Sequence, residues 1–164
     1  MKIFIKNTLL FIVSITLILI GIVLYLEYTE QPSTHWNNTS EMNIPDIFQY
    51  GWIPSWFPIN ATNIHEQHDI DTNQVWIKFE ILDSNNTTLL QSFKLLEPDK
   101  IAIINIKAPF LSNWWFEDLI EHSPSNNNSL HAYIYQGNDD KISKKVFLAK
   151  DKLSHTYYIW IIAH

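Results

Sequence analysis

The chain has 164 residues, with seventeen acidic side chains against eleven lysines, no arginine, and a formal net charge of −6 at pH 7. That balance, without the forked guanidinium that reads phosphates and guanine edges, excludes nucleic-acid binding. The absence of Cys excludes disulfides, thiolate metal sites, a thiol nucleophile and a cysteine-linked lipid anchor, so the folded part must stand on its packed core.

Residues 8–26 are nineteen consecutive positions without a charge, fourteen of them Leu, Ile, Val or Phe. At about 1.5 Å per residue a helix over this stretch extends about 28 Å, close to the ~30 Å hydrocarbon thickness of a bilayer. Each central aliphatic side chain contributes roughly −0.3 to −0.6 kcal/mol to insertion, which outweighs Ser14, Thr16 and Gly21. A cleaved signal peptide needs a shorter apolar core and a small-residue cleavage site, and Leu24-Tyr25-Leu26-Glu27-Tyr28-Thr29 offers none. The expectation is therefore an uncleaved transmembrane helix with the lipid bilayer as its partner. Lys2 and Lys6 precede it and the next base is Lys78, so retention of basic flanks on the inner side places residues 1–7 in the cytoplasm and the rest outside. Tyr25 and Tyr28 fall at the depth of the outer headgroup belt.

Residues 27–44, rich in Thr, Ser, Asn and Gln and without periodicity, read as a tether. Residues 45–164 then form one extracytoplasmic domain of ordinary single-core size. Pro45, Pro54 and Pro58, interleaved with Phe48, Tyr50, Trp52, Ile53, Trp56 and Phe57, predict an aromatic-rich loop. Over residues 75–81, Val75, Ile77, Phe79 and Ile81 alternate with Trp76, Lys78 and Glu80, the period of a strand with one buried face. Residues 65–70 precede it across Asp71-Thr72-Asn73, which predicts a hairpin. Leu89, Leu90, Phe93 and Leu96 are spaced as one stripe of a helix capped by Asn86 or Thr87 and ending near Pro98. A second helix is predicted over residues 113–121, and residues 101–106, 130–135, 145–150 and 155–162 read as further strands. The fold expected is α+β: an N-terminal transmembrane helix, then one domain with an antiparallel sheet and two helices packed on one face.

His65 and His68, with Asp69 and Asp71, carry the donor types that bind metals. Their spacing argues against convergence, because strand residues three apart point to opposite faces and the helical spacing of four found in zinc hydrolases is missing. Asp69, Asp71, Asn73 and Glu80 occupy positions of a calcium loop, yet Gln74 stands where that loop needs glycine and the exit segment alternates as a strand. A metal-assisted hydrolase or calcium-binding domain on this segment is the alternative reading. Trp52, Trp56, Trp76, Trp114 and Trp115 are the candidate binding residues, a platform for a ligand or else core, since one aromatic ring buries about 150–250 Å². No catalytic residues are indicated: there is no G-x-S-x-G, and three glycines, at 21, 51 and 137, build no phosphate loop. No cofactor is implied.

The stretch Gly51-Trp-Ile-Pro54-Ser-Trp-Phe-Pro58-Ile-Asn-Ala61-Thr-Asn-Ile64, running into His68-Asp-Ile-Asp71-Thr-Asn73-Gln-Val-Trp76-Ile-Lys-Phe79, resembles small bacterial envelope proteins that are YbbD-like. The resemblance implies a domain start near residue 45 and a place in the bacterial envelope, and it brings no catalytic residues. The Ile-, Asn- and Lys-rich, Arg-free composition agrees with an AT-rich bacterial genome. The resulting expectation is a single-pass protein of the bacterial cytoplasmic membrane whose domain acts as a binding or interaction module for an envelope protein or small ligand.

Overall fold

The computed structural model describes residues 2–42, 51–82, 87–91, 93–97, 108–115, 132–139 and 144–162. Helix α1 spans Lys2–Glu30, and its part from Asn7 to Glu30 is long and apolar enough to cross a membrane, with no share of it buried against the domain. Ser14 and Thr16 return their hydroxyls to the carbonyls of Leu10 and Ile12 at 2.9 and 3.0 Å, so these polar groups are met within the helix, as an apolar solvent requires.

Beyond α1 the described residues form a seven-stranded antiparallel sheet. Its strands are β1 (Ser33–Asn38), β2 (Thr62–Asp69), β3 (Gln74–Glu80), β4 (Lys94–Leu95), β5 (Ala132–Asp139), β6 (Lys144–Asp151) and β7 (Thr156–Ile162). They lie in the order β1-β2-β3-β7-β6-β5-β4. The predicted β2–β3 hairpin forms around Ile70 to Asn73, where Asp69 Oδ1 accepts from the Asp71 and Thr72 amides at 3.0 and 2.8 Å. Such an Asp-anchored turn is the local reason the chain reverses there. Asn73 sits at φ 53°, in the left-handed region that Asn tolerates. Pairing slips between Thr62 and His65, so that Asn63, at φ 48°, and Ile64 together oppose Phe79 in a bulge.

Both faces of the sheet are covered, where the alternation of β3 had suggested one. Val75, Ile77 and Phe79 join Ile64, Val146, Leu148, Ile159 and Ile161 in one cluster, closed over by Ile53, Phe57 and Leu89. On the opposite face Trp76, Phe147, Ala149, Tyr158 and Trp160 pack with Leu96 and Trp115. The central strands are apolar on both sides because both sides are dry.

Three expectations need correction. The stretch 27–44 is not a free tether in its described part: α1 runs through residues 27–30 and Ser33–Asn38 pair with β2. As the edge strand among the described residues, with mostly exposed side chains, β1 carries no apolar alternation and so reads as loop. The two packed helices are also absent among the described residues. Only one turn, α2 (Thr87–Leu90), forms, because Lys94 and Leu95 pair with β5 instead. Leu89 and Leu96, placed on one helical stripe, end in clusters on opposite faces of the sheet. Asn113–Trp115 are likewise not helical, while residues 116–121, the remainder of that predicted helix, and the predicted strand 101–106 lie outside the described residues.

Candidate binding site at the helix–sheet junction

Gln31, the first residue after α1, is buried at 5 % exposure. Its Nε2 donates to Asp69 Oδ2 at 3.3 Å and Glu27 Oε1 at 3.4 Å, and its Oε1 accepts from the Phe110 amide at 3.1 Å. Gln67 Nε2 donates to the Phe110 carbonyl at 2.9 Å and the Gln31 carbonyl at 3.4 Å. Backbone bonds complete the seam: the Ile70 amide donates to Glu30 O at 3.0 Å and the His68 amide to Pro32 O at 3.3 Å. Two glutamine side chains thus bind the helix end, the hairpin and the loop around Phe110 into one unit. A buried amide left without such partners would cost about 1–3 kcal/mol.

A pocket of about 510 Å³ opens beside this seam, walled by Tyr28 and Thr29 of α1, by Ser33 and Gln67 of the sheet, and by the loop from Phe110 to Trp114. Its volume falls within the range of about 300–1,000 Å³ that holds small ligands. Leu111, on the rim, is 81 % exposed and sits at φ 51°. A bulky residue in that region is strained, and such strain persists only where the surroundings hold it. Here the bonds of Gln31 and Gln67 to both polar groups of Phe110 do so.

Trp114 is fixed from the sheet side. His65 stacks on its indole with ring centroids 5.5 Å apart, and His35, paired with His65 across β1 and β2, lies 4.3 Å from the His65 ring. Asn63, on the bulge, collects the network: its Oδ1 lies 3.2 Å from Nε2 of both histidines, and its Nδ2 donates to Glu80 Oε1 at 2.6 Å. Burial, then the charges of His35 and Lys78, push the His65 imidazole down to about 4, so the ring is neutral near pH 7.

His68 is placed on the other face. Its Nδ1 lies 2.8 Å from Glu66 Oε1, both side chains are buried, and Trp52 stacks on the imidazole with centroids 3.6 Å apart. Burial holds the Glu66 carboxyl above its ordinary range, against the pull of the His68 hydrogen bond. The four suggested metal ligands are accordingly not brought together: His65 and His68 face opposite ways, Asp69 anchors the turn and Gln31, and Asp71 is exposed on the hairpin. Among the described residues no group of three His, Asp or Glu stands close enough to hold a metal ion.

Of the five candidate tryptophans, Trp76 and Trp115 are buried in the second cluster, and Trp52 and Trp56 pack half-buried on the first. Trp114 alone among them lines the pocket. The indole N–H groups of Trp115 and Trp160 are buried with no hydrogen-bond partner among the described residues. Reading the sequence missed Gln31 and Gln67, which looked like ordinary polar positions of a linker and a strand. The one local signal was the break at Gln31-Pro32, where a proline ends the helix and its preceding residue must supply the cap.

From the end of α1 to the end of β3 the described residues hold an edge strand, an aromatic segment and a hairpin, joined to the rest of the sheet through β7. Residues 30–80 match the YbbD head domain. The match begins at the last residue of α1 and closes at the last residue of β3. The matched segment supplies Gln31, Ser33 and Gln67 to the pocket, while the opposing wall, Phe110 to Trp114, comes from the chain beyond it. No curated protein and no solved structure matches the chain.

Proposed function

We propose that this chain is a single-pass protein of the bacterial cytoplasmic membrane, N-terminus inside, whose extracytoplasmic sheet domain is a binding module for a small ligand or an envelope protein. The observation that carries the reading is the pocket walled jointly by the end of the apolar helix, the matched segment and the loop around Leu111. Lys2 and Lys6 before the apolar run, and no further base until Lys78, support the orientation. The site offers amides, hydroxyls and an indole, groups that hold and orient a ligand, and no nucleophile with an adjacent base.

The lack of native Cys makes the orientation directly testable. Leu153, 82 % exposed on the β6–β7 turn, is changed to Cys in the full chain and treated in intact cells with a membrane-impermeant maleimide. Labelling without permeabilisation is expected, and labelling only after it overturns the topology. For binding, capture from detergent-solubilised membranes at native expression should enrich a partner or ligand that a pocket-filling Ser33→Trp variant loses. Identical recovery with both proteins overturns the pocket as the site.

A further inference from the structure

The pocket has a depth as well as a shape. Charge-free helix ends at Leu26, and the first pocket residues, Tyr28 and Thr29, follow within about 3–5 Å along the axis. The headgroup layer adds about 5–7 Å to each side of the hydrocarbon. With α1 spanning the bilayer, the pocket mouth therefore stands among headgroups. The exposed Leu111 on its rim and Tyr28, 67 % exposed, present to that layer an apolar and an amphipathic side chain, the types that settle there.

Among the described residues the lining carries no charged side chain. Two carboxylates, Glu27 and Asp69, are bound to the Nε2 of its wall residue Gln31. Among the described residues a phosphate would meet these acids and no lining cation, which disfavours phosphodiester heads. An uncharged hydroxyl-rich ring meets suitable partners instead. Thr29 and Ser112 spend their protons on the carbonyls of Leu26 and Pro109, which leaves their oxygens to accept from ligand hydroxyls. Ser33 and Asn113 add further polar groups on the wall. Trp114, stacked by His65, supplies an apolar indole surface for the C–H side of such a ring.

We propose that the pocket takes the uncharged, sugar-like head of a glycolipid in the leaflet from which the domain emerges, with Leu111 seated in the interface beside it. This rests on the membrane-anchored reading above, and a soluble glycan bearing the same head is the other source of that chemistry.

The test uses the full chain in nanodiscs of phosphatidylcholine doped with a glucosyl-diacylglycerol or, in parallel, phosphatidylglycerol. Co-migration with the disc scores the anchor, and mass spectrometry of lipid retained on the extracted protein scores the pocket. Glucolipid should be retained over phosphatidylglycerol on the order of tenfold. That preference should vanish in Ser33→Trp, which fills the pocket from an exposed strand position, and in Trp114→Ala. Displacement by excess methyl glucoside assigns recognition to the head alone and admits the soluble source, whereas retention despite it assigns the ligand to the membrane. Equal retention of both lipids, or a preference undiminished in Ser33→Trp, overturns the proposal while the anchor stands. A chain that never enters the discs overturns both.

Discussion

Two histidines three residues apart serve two different environments, His65 against Trp114 and His68 between Glu66 and Trp52. His65 binds its proton in the unfolded chain below about 6.5 but in the folded chain only near 4, so folding is opposed by protonation between those values. Stability should therefore fall as pH drops from 6.5 toward 4, and His65→Gln should flatten that slope. Urea midpoints at pH 7 and pH 5 for both proteins decide it, and parallel losses would show that the ring does not carry the effect. Glu66 acts with the opposite sign: a carboxyl held above its ordinary range costs stability once ionised, so its burden grows as pH rises through the window above 4.5. Glu66→Gln keeps an acceptor for His68 and removes a buried charge. The variant is therefore expected to lose less stability than the parent as pH rises from 5 to 8, compared by thermal melting. A greater loss in the variant would instead mean that the carboxylate charge itself holds His68 and the stacked Trp52 in place.

At the level of elements, the hairpin turn is the cleanest test of local backbone chemistry. Asn73 is exposed at φ 53°, so Asn73→Gly should be neutral or slightly stabilising and Asn73→Val should cost about 1–2 kcal/mol by chemical denaturation. If Val is tolerated as well as Gly, the turn is not fixed by that dihedral. The same local rules explain what could be read in advance. β3, β6 and β7 were legible because strand-length runs of β-branched and aromatic residues survive in them, and the Asp-Thr-Asn cluster announced the reversal before β3. β1 was not, because an edge strand with exposed side chains has no reason to alternate. The helical stripe at Leu89, Leu90, Phe93 and Leu96 was a coincidence of spacing: backbone pairing at Lys94 and Leu95 overrode it and sent its ends to opposite faces. Of the site, Trp114 was named from its type, whereas Gln31, Gln67 and Phe110 owe their roles to contacts across 36 to 79 positions of chain that no local pattern encodes.

For the molecule as a whole, the decisive feature is that the apolar helix does not hang from the sheet by a slack linker. Glu27, Gln31, Gln67, Asp69 and Phe110 make the junction one bonded piece, so the orientation of the domain relative to α1 is set by side-chain chemistry. A ligand in the pocket touches the helix end and the Phe110 loop together, and would act on that orientation directly. Gln31→Ala removes three side-chain hydrogen bonds and leaves the Phe110 amide unpaired, at a cost of about 1–3 kcal/mol. Because the backbone bonds of Glu30 and Pro32 remain, the domain should stay folded while the junction loosens. With Leu24→Cys and Leu153→Cys carrying spin labels in nanodiscs, the parent chain should give one narrow distance distribution and Gln31→Ala a broad one. An equally narrow distribution in the variant would mean that the strand pairing of β1, rather than the glutamine latch, fixes how the domain stands on its helix.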